Sequence, residues 1–363
     1  MRRLFLSVLL LVASPALSFA QGTPGAQLIP ASDPRFRYEG RLDMSDPARP
    51  VVIWQASRIS IAFDGPTLRL LFSNNHNQTF FDATVDGVTK VVELRQSNPA
   101  VNATFSGFGP GRHLLTLFKR TEATAGSVTF DGVGLAPDAH AWAPPPPAYK
   151  TTMLFLGDSI AAGACVEDGT LDQWADRRTH NAAWSFTALT AAAFNADHQN
   201  ISVSGIAVVH DDIPTAPQIW DHVRPDPKSP KADLTKWTPQ VVFVHLGDND
   251  DVHTLGLPFP ANFTDVYITF IHTLRTAYPN AEIVLLQGGM WSGTNYPGLL
   301  AAWYTAVRRL ESADKKISHY AFRHWTRTHP RIADHKALAN ELIGWLKQQD
   351  FMQHLKPAEA FHG

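Results

Sequence analysis

Four separated residues of this chain are of types, and in local surroundings, that acyl transfer can use. In Phe155-Leu156-Gly157-Asp158-Ser159-Ile160-Ala161-Ala162-Gly163 an apolar strand runs straight into Gly-Asp-Ser. Gly157 permits a sharp turn, which sets the Ser159 hydroxyl at the carboxyl end of a strand. A helix starting there leaves the Ser159 N–H free to face a developing oxyanion. The plainer alternative is that Asp158 or Ser159 only caps that helix. Asn200-Ile201-Ser202-Val203-Ser204-Gly205 puts a glycine just past a second strand, where its N–H is unobstructed, or where it simply turns the chain. Val244-His245-Leu246-Gly247-Asp248-Asn249-Asp250 puts an amide after a third strand. Asn249 can donate to an oxyanion there, or serve as a turn asparagine. Thr328-His329-Pro330 precedes a C-terminal helix whose start suits Pro330 and fixes His329. His329 is one of 16 histidines, and only its place in the ordered set distinguishes it.

In this order the four blocks resemble the SGNH (GDSL-type) hydrolases, whose blocks centre on Ser, Gly, Asn and His. The resemblance covers roughly residues 150–350. With the β-rich region before it and a proline-rich stretch between, the chain looks most like the two-domain acetyl esterases of carbohydrate esterase family 2. The segments Asn74-Asn75-His76-Asn77 and Phe80-Phe81 are compatible with that narrower match. The resemblance implies that Ser159 is the nucleophile and His329 the general base. It implies an oxyanion hole made by the Ser159 and Gly205 amides and the Asn249 side chain. It also implies an acetylated polysaccharide or oligosaccharide, of xylan or glucomannan type, as substrate. A general short-chain esterase or thioesterase, and a catalytically weak glycan-binding protein, are the alternatives.

One departure bears on mechanism. Many of these enzymes carry an Asp three residues before the histidine, and here Thr326 stands there. Some family 2 esterases manage with a Ser-His pair whose histidine is held by a backbone carbonyl, and the resemblance implies the same here: a Ser159–His329 dyad, with His329 Nδ1–H donating to a main-chain oxygen and Asp334 as second choice. Trp291, in Gly289-Met290-Trp291-Ser292-Gly293 after a fourth strand, is a candidate platform for a sugar ring, or else a packed core residue.

These residues need a scaffold, and the hydropathy pattern supplies one. Short apolar runs at 153–156, 201–203, 241–246, 283–286 and 320–322 read as strands. Helical spacing covers about 184–194, 263–274, 299–310 and 332–346. Buried strands alternating with helices predict an α/β domain with a parallel sheet wrapped on both faces, and the resemblance implies a three-layer SGNH-type domain with a five-stranded parallel sheet over residues 150–350. Residues 26–138 instead alternate with period two. Ile59-Ser60-Ile61-Ala62-Phe63 ends at Asp64-Gly65, and Phe81 to Val85 meets a hairpin signal at Asp86-Gly87, with a return over Lys90–Leu94. Leu115–Phe118 and Ser127–Phe130 are further strands, the latter expected to close at Asp131-Gly132. An all-β sandwich of jelly-roll type is expected there. Residues 139–149, with four consecutive prolines at 144–147, read as a stiff linker.

Composition closes off other classes. With 31 Lys+Arg against 33 Asp+Glu, the net charge is -2 and no basic run stands out, so nucleic acid is a poor partner. HExxH, GxSxG, GxGxxG and the P-loop are missing from the sequence. The single cysteine, Cys165, cannot form an internal disulfide. The pattern implies neither a metal nor any other cofactor. Asp211-Asp212, Asp250 and Asp251 read as solvated loop carboxylates. At the N-terminus, Arg2-Arg3, an apolar run over 4–17 and Ser18-Phe19-Ala20 read as a signal peptide of residues 1–20. The run is short for a bilayer span, so the mature protein is expected to be secreted or periplasmic, free of the membrane after cleavage.

Overall fold

The computed structural model describes residues 26–95, 102–209, 213–252 and 258–355. The signal segment, His210 and Asp211-Asp212 lie outside them. The N-terminal region is all β. Its organiser is one 19-residue strand, Thr67–Val85, that belongs to two layers. The first half pairs with Asn102–Ser106 and Gly126–Leu135; the second pairs with His113–Lys119 and Val88–Arg95. Phe63, Leu68, Leu70, Phe81, Leu115, Leu117 and Phe130 fill the space between the layers, each 0% exposed. Alternation along the strands puts these side chains on inward faces.

The hairpin signal at Asp86-Gly87 holds, with both residues at positive φ (50° and 82°), as a tight two-residue hairpin turn requires. Asp131-Gly132 does not close its strand as expected. Strand Gly126–Leu135 runs through it, with a register shift between Phe130 and Gly132. Gly132 sits at φ +121°, and a Cβ there would come within 2.1 Å of the Ile29 carbonyl oxygen. The same dipeptide that turns one chain end therefore makes a bulge in another, because the neighbouring strand crowds it.

The second region is built on a parallel sheet in the order Ala196–Ser202, Thr151–Gly157, Val241–His245, Glu282–Met290, Ile317–Thr326. Helices Phe263–Ala277 and Pro297–Ala313 cover one face; Phe186–Ala193 and Ile332–Leu346 cover the other. Strand Thr151–Gly157 is buried throughout, which explains its unbroken apolar run. Arg331 stands at the N-cap of helix Ile332–Leu346, so Pro330 lies just outside it.

The two regions share a core. Ile53, Trp54 and Ala123 of the β region pack into the cluster under helices Phe263–Ala277 and Pro297–Ala313. Trp54 is fully buried and its Nε1–H donates to Val223 O at 2.8 Å. Gln55 Nε2 donates to Ser202 O at 2.9 Å and Asn200 Oδ1 at 3.1 Å. Ala141–Trp142 remains on the β region, paired with Ala62 and Phe63, inside the stretch read as linker. The prolines at 144–147 follow without regular structure.

Candidate active site

Gly157 ends the central strand, and a Cβ on it would meet Ala161 Cβ at 2.5 Å, so only glycine lets the next helix start so close. Helix Ser159–Ala162 follows at once. Asp158 caps it, accepting from Ile160 N–H at 2.9 Å. The capping alternative is thus true of Asp158 and compatible with a working Ser159. As the first helical residue, Ser159 has an N–H without an acceptor inside the helix.

His329 Nε2 lies 2.8 Å from Ser159 Oγ across 170 residues of sequence. Its other ring nitrogen corrects the expected dyad. Nδ1 lies 2.7 Å from Asp172 Oδ2, a carboxylate rather than a main-chain carbonyl. The same oxygen accepts the His329 backbone N–H at 3.1 Å. A carboxylate only accepts, so the proton sits on Nδ1 and Nε2 is left as the base toward the serine. Asp334 is occupied elsewhere, 2.8 Å from His324 Nε2 and accepting from Arg331 N–H at 2.9 Å. Thr326, at the position expected to hold an acid, donates its hydroxyl to Thr328 O at 2.6 Å.

Arg331 completes the arrangement. One guanidinium nitrogen is 2.8 Å from Asp172 Oδ1, and others donate to His329 O at 2.8 Å and Gly169 O at 2.7 Å. Burial works to raise the Asp172 carboxyl. Hydrogen bonds from the His329 ring and backbone, with the imidazole and Arg331 charges, outweigh it and hold the group well below the usual carboxylate range. Asp172 is therefore ionised wherever a histidine can act as base.

The second and third blocks converge beside the serine. Gly205 has φ +81°, with only Ile213 Cδ1 near a would-be Cβ, at 3.7 Å. Asn249, in helix Asp248–Val252, donates to Ile206 O at 3.0 Å and lies 3.5 Å from Asp158 Oδ2. Its amide thus spans the residue after Gly205 and the residue before Ser159. Asp250, read as a solvated loop carboxylate, is instead 0% exposed. It accepts from Val208 N–H at 2.9 Å and Val209 N–H at 2.8 Å, tying the glycine loop to the asparagine helix. Glu122 of the β region accepts Ser204 N–H at 2.7 Å, from the other side of that loop.

Burial pushes the Asp248 carboxyl up to about 7, with the nearby Asp158 adding to the effect. Asp158 rises to about 6, again through burial, against the hydrogen bond it receives from Ile160. Asp248 accepts from Gly293 N–H at 2.8 Å and Gln287 Nε2 at 3.1 Å.

Trp291 opens helix Trp291–Asn295 at the carboxyl edge of the sheet and is 42% exposed. A second exposed ring escaped sequence reasoning. Trp174, 38% exposed, stands edge-to-face with His329 at 5.0 Å between centroids. Arg177 covers it at 4.8 Å. Cys165, Asp172 and His329 present donor atoms within 4.8 Å of one another. His329 and Asp172 are committed to each other, and burial pushes the Cys165 thiol up, so the trio is a poor cation site.

Two family models match the chain. Residues 38–146 match the carbohydrate esterase 2 N-terminal model, and residues 155–343 match the GDSL-like lipase/acylhydrolase family. A cellulase/esterase (CelE) of Acetivibrio thermocellus is 31% identical over 344 residues, covering 87% of this chain and 40% of that protein. An acetylxylan esterase/glucomannan deacetylase of Cellvibrio japonicus is 25% identical over 360 residues, covering 95% and 99%. The solved structure of a family two carbohydrate esterase from Clostridium thermocellum, in complex with cellohexaose, superposes with TM-score 0.77. It is 27% identical and covers 86% of this chain and 98% of that one.

Proposed function

Because the chain belongs to the GDSL-like lipase/acylhydrolase family and carries the N-terminal domain of family 2 carbohydrate esterases, we propose that it is an exported esterase removing O-acetyl groups from polysaccharides or oligosaccharides. The relatives named for acetylxylan and glucomannan support that substrate class. The observation behind the mechanism is the 2.8 Å contact between His329 Nε2 and Ser159 Oγ.

The Ser159 oxygen attacks the acetyl carbonyl while His329 Nε2 takes its proton. Negative charge on the carbonyl oxygen meets the Ser159 and Gly205 amides and the Asn249 side chain, each such donor lowering the barrier by about 3 kcal/mol. Collapse transfers the proton from His329 to the departing sugar oxygen and leaves an acetyl ester on Ser159. Water, deprotonated by His329, then releases acetate. Asp172 fixes the tautomer of the ring and stabilises the imidazolium formed in each half-reaction. The exposed ring of Trp291, and the face of Trp174 opposite Arg177, are suited to stacking on sugar rings.

The test is hydrolysis of 4-nitrophenyl acetate, acetylated xylan and acetylated glucomannan by parent, Ser159→Ala and His329→Ala proteins. Both variants lose activity by about 10⁴-fold or more while keeping their circular dichroism spectra. A Ser159→Ala protein as active as the parent overturns the mechanism. Preference for long acyl esters over acetyl overturns the substrate class.

A further inference from the structure

The loop that delivers Asp172 is held from outside its own domain. Residues 165–182 leave the first block and run along the β region before helix Phe186–Ala193 begins. Strands Thr67–Val85 and Val88–Arg95 form the hairpin closed by Asp86-Gly87, and at its open end Gln78 stands opposite Arg95. Gln78 Nε2 donates to Ala175 O at 2.7 Å, and its Oε1 accepts from Arg177 N–H at 3.0 Å. One amide thus pins the loop backbone on both sides of Asp176. Arg95 takes the Asp176 carboxylate itself, at 3.0 and 3.1 Å, and donates to Gln78 Oε1 at 3.2 Å. Asp176 lies only four residues from Asp172 and two from Trp174. Between them Gln173 makes the span stiff, giving hydrogen bonds to Thr179 Oγ1 at 2.6 Å and accepting from Asp176 N–H at 3.0 Å.

We propose that Gln78 and Arg95 are positioning residues of the esterase: the open end of a β-domain hairpin fixes the 172–176 loop so that Asp172 and Trp174 meet His329. The inference rests on the serine esterase reading above. The contacts are partly solvent-exposed, with Arg95 and Asp176 side chains 34% and 46% accessible, so their share of global stability is small. Their leverage is geometric. An orienting carboxylate displaced by about 1 Å no longer holds the imidazole toward the serine, and losses up to about 10²-fold follow from such displacements.

The experiment is a mutant cycle on the full chain with 4-nitrophenyl acetate. The Gln78→Ala/Arg95→Ala protein loses about tenfold in kcat, with KM within about twofold and the fold intact at the assay temperature. In an Asp172→Asn background the same pair changes kcat by less than about twofold, because the group it positions no longer orients the base. Unchanged kcat in the first comparison overturns the proposal. An equal loss in both backgrounds also overturns it, since that is what general destabilisation produces. Should the double variant not fold, Arg95→Gln alone is read by the same two criteria, and Arg95→Lys is expected to recover part of its loss. Failure here is distinct from failure of the esterase reading. A Ser159-dependent enzyme indifferent to Gln78 and Arg95 removes only this inference, whereas activity independent of Ser159 removes the other.

Discussion

Asp172 and Asp248 stand at the same end of one sheet and are treated in opposite ways. Asp172 comes from a loop, is partly exposed, and has a histidine and an arginine against its two oxygens. Its charge is held. Asp248 comes from a short helix at the end of a central strand, is almost fully buried, and among the described residues accepts from a backbone N–H and a neutral amide. Its charge is suppressed. A carboxylate at an active-site rim is therefore no indicator of function by itself. What separates the two is that the His329 and Arg331 partners of the partly exposed Asp172 outweigh its burial, whereas the nearby His245 does not outweigh the deeper burial of Asp248.

Asp172→Asn is the largest way to break this comparison. Loss of the acceptor on Nδ1 destabilises the productive tautomer, and kcat should fall on the order of 10³-fold with little change in KM. A fall of less than about tenfold would mean that Ser159 and His329 work as a pair after all. Arg331→Met comes next. It strips the second cation from Asp172 and frees Gly169 O, so a fall of about tenfold in kcat is expected. Trp174→Ala should cost several-fold in kcat/KM on acetylated oligosaccharides and less on 4-nitrophenyl acetate, about 1 kcal/mol for a lost ring contact. The same pair of substrates applied to Trp291→Ala tells which ring meets the sugar.

Asp248→Asn tests the other side, through pH. The folded group titrates near 7 against 3.8 for the unfolded one, so the native state binds the proton more tightly. Its stabilising contribution is complete below the unfolded value and drains away as pH rises through the folded one. The variant does not titrate, and Gln287 can turn its buried, unpartnered Oε1 toward the new amide. The difference in unfolding free energy should therefore shift in favour of the variant as pH rises from about 4 toward 7, by a few kcal/mol at most, and then stop growing. A gap independent of pH would show that Asp248 is ionised throughout.

The parallel sheet was legible because its central strands are buried on both faces and leave unbroken apolar runs, as in Val241-Val242-Phe243-Val244, whereas the edge strands Ala196–Ser202 and Ile317–Thr326 show only short apolar pieces. Ser159, Gly205, Asn249 and His329 were legible because each follows a strand or precedes a helix that the pattern reveals. Asp172 was not. It lies in an irregular loop, and its contact with His329 spans 157 residues. No strand end or helix start marks Asp172, as they mark Ser159 and His329, whose own contact spans 170 residues, and the expected acid position, Thr326, pointed elsewhere. The 165–182 loop also takes its shape from Gln78 and Arg95, whose side chains look like ordinary polar positions on a strand. The Asp131-Gly132 bulge was misread for a similar reason. A dipeptide favouring positive φ announces a departure from regular strand, and only the partner strand decides between a turn and a bulge.

Trp54 and its neighbours seated among the helices of the catalytic half bear on how such a chain can be cut. Severing it at the prolines would leave a greasy socket on one piece and an orphaned indole on the other. Neither fragment is then a self-sufficient module, and heating the intact protein should melt both halves in a single calorimetric peak.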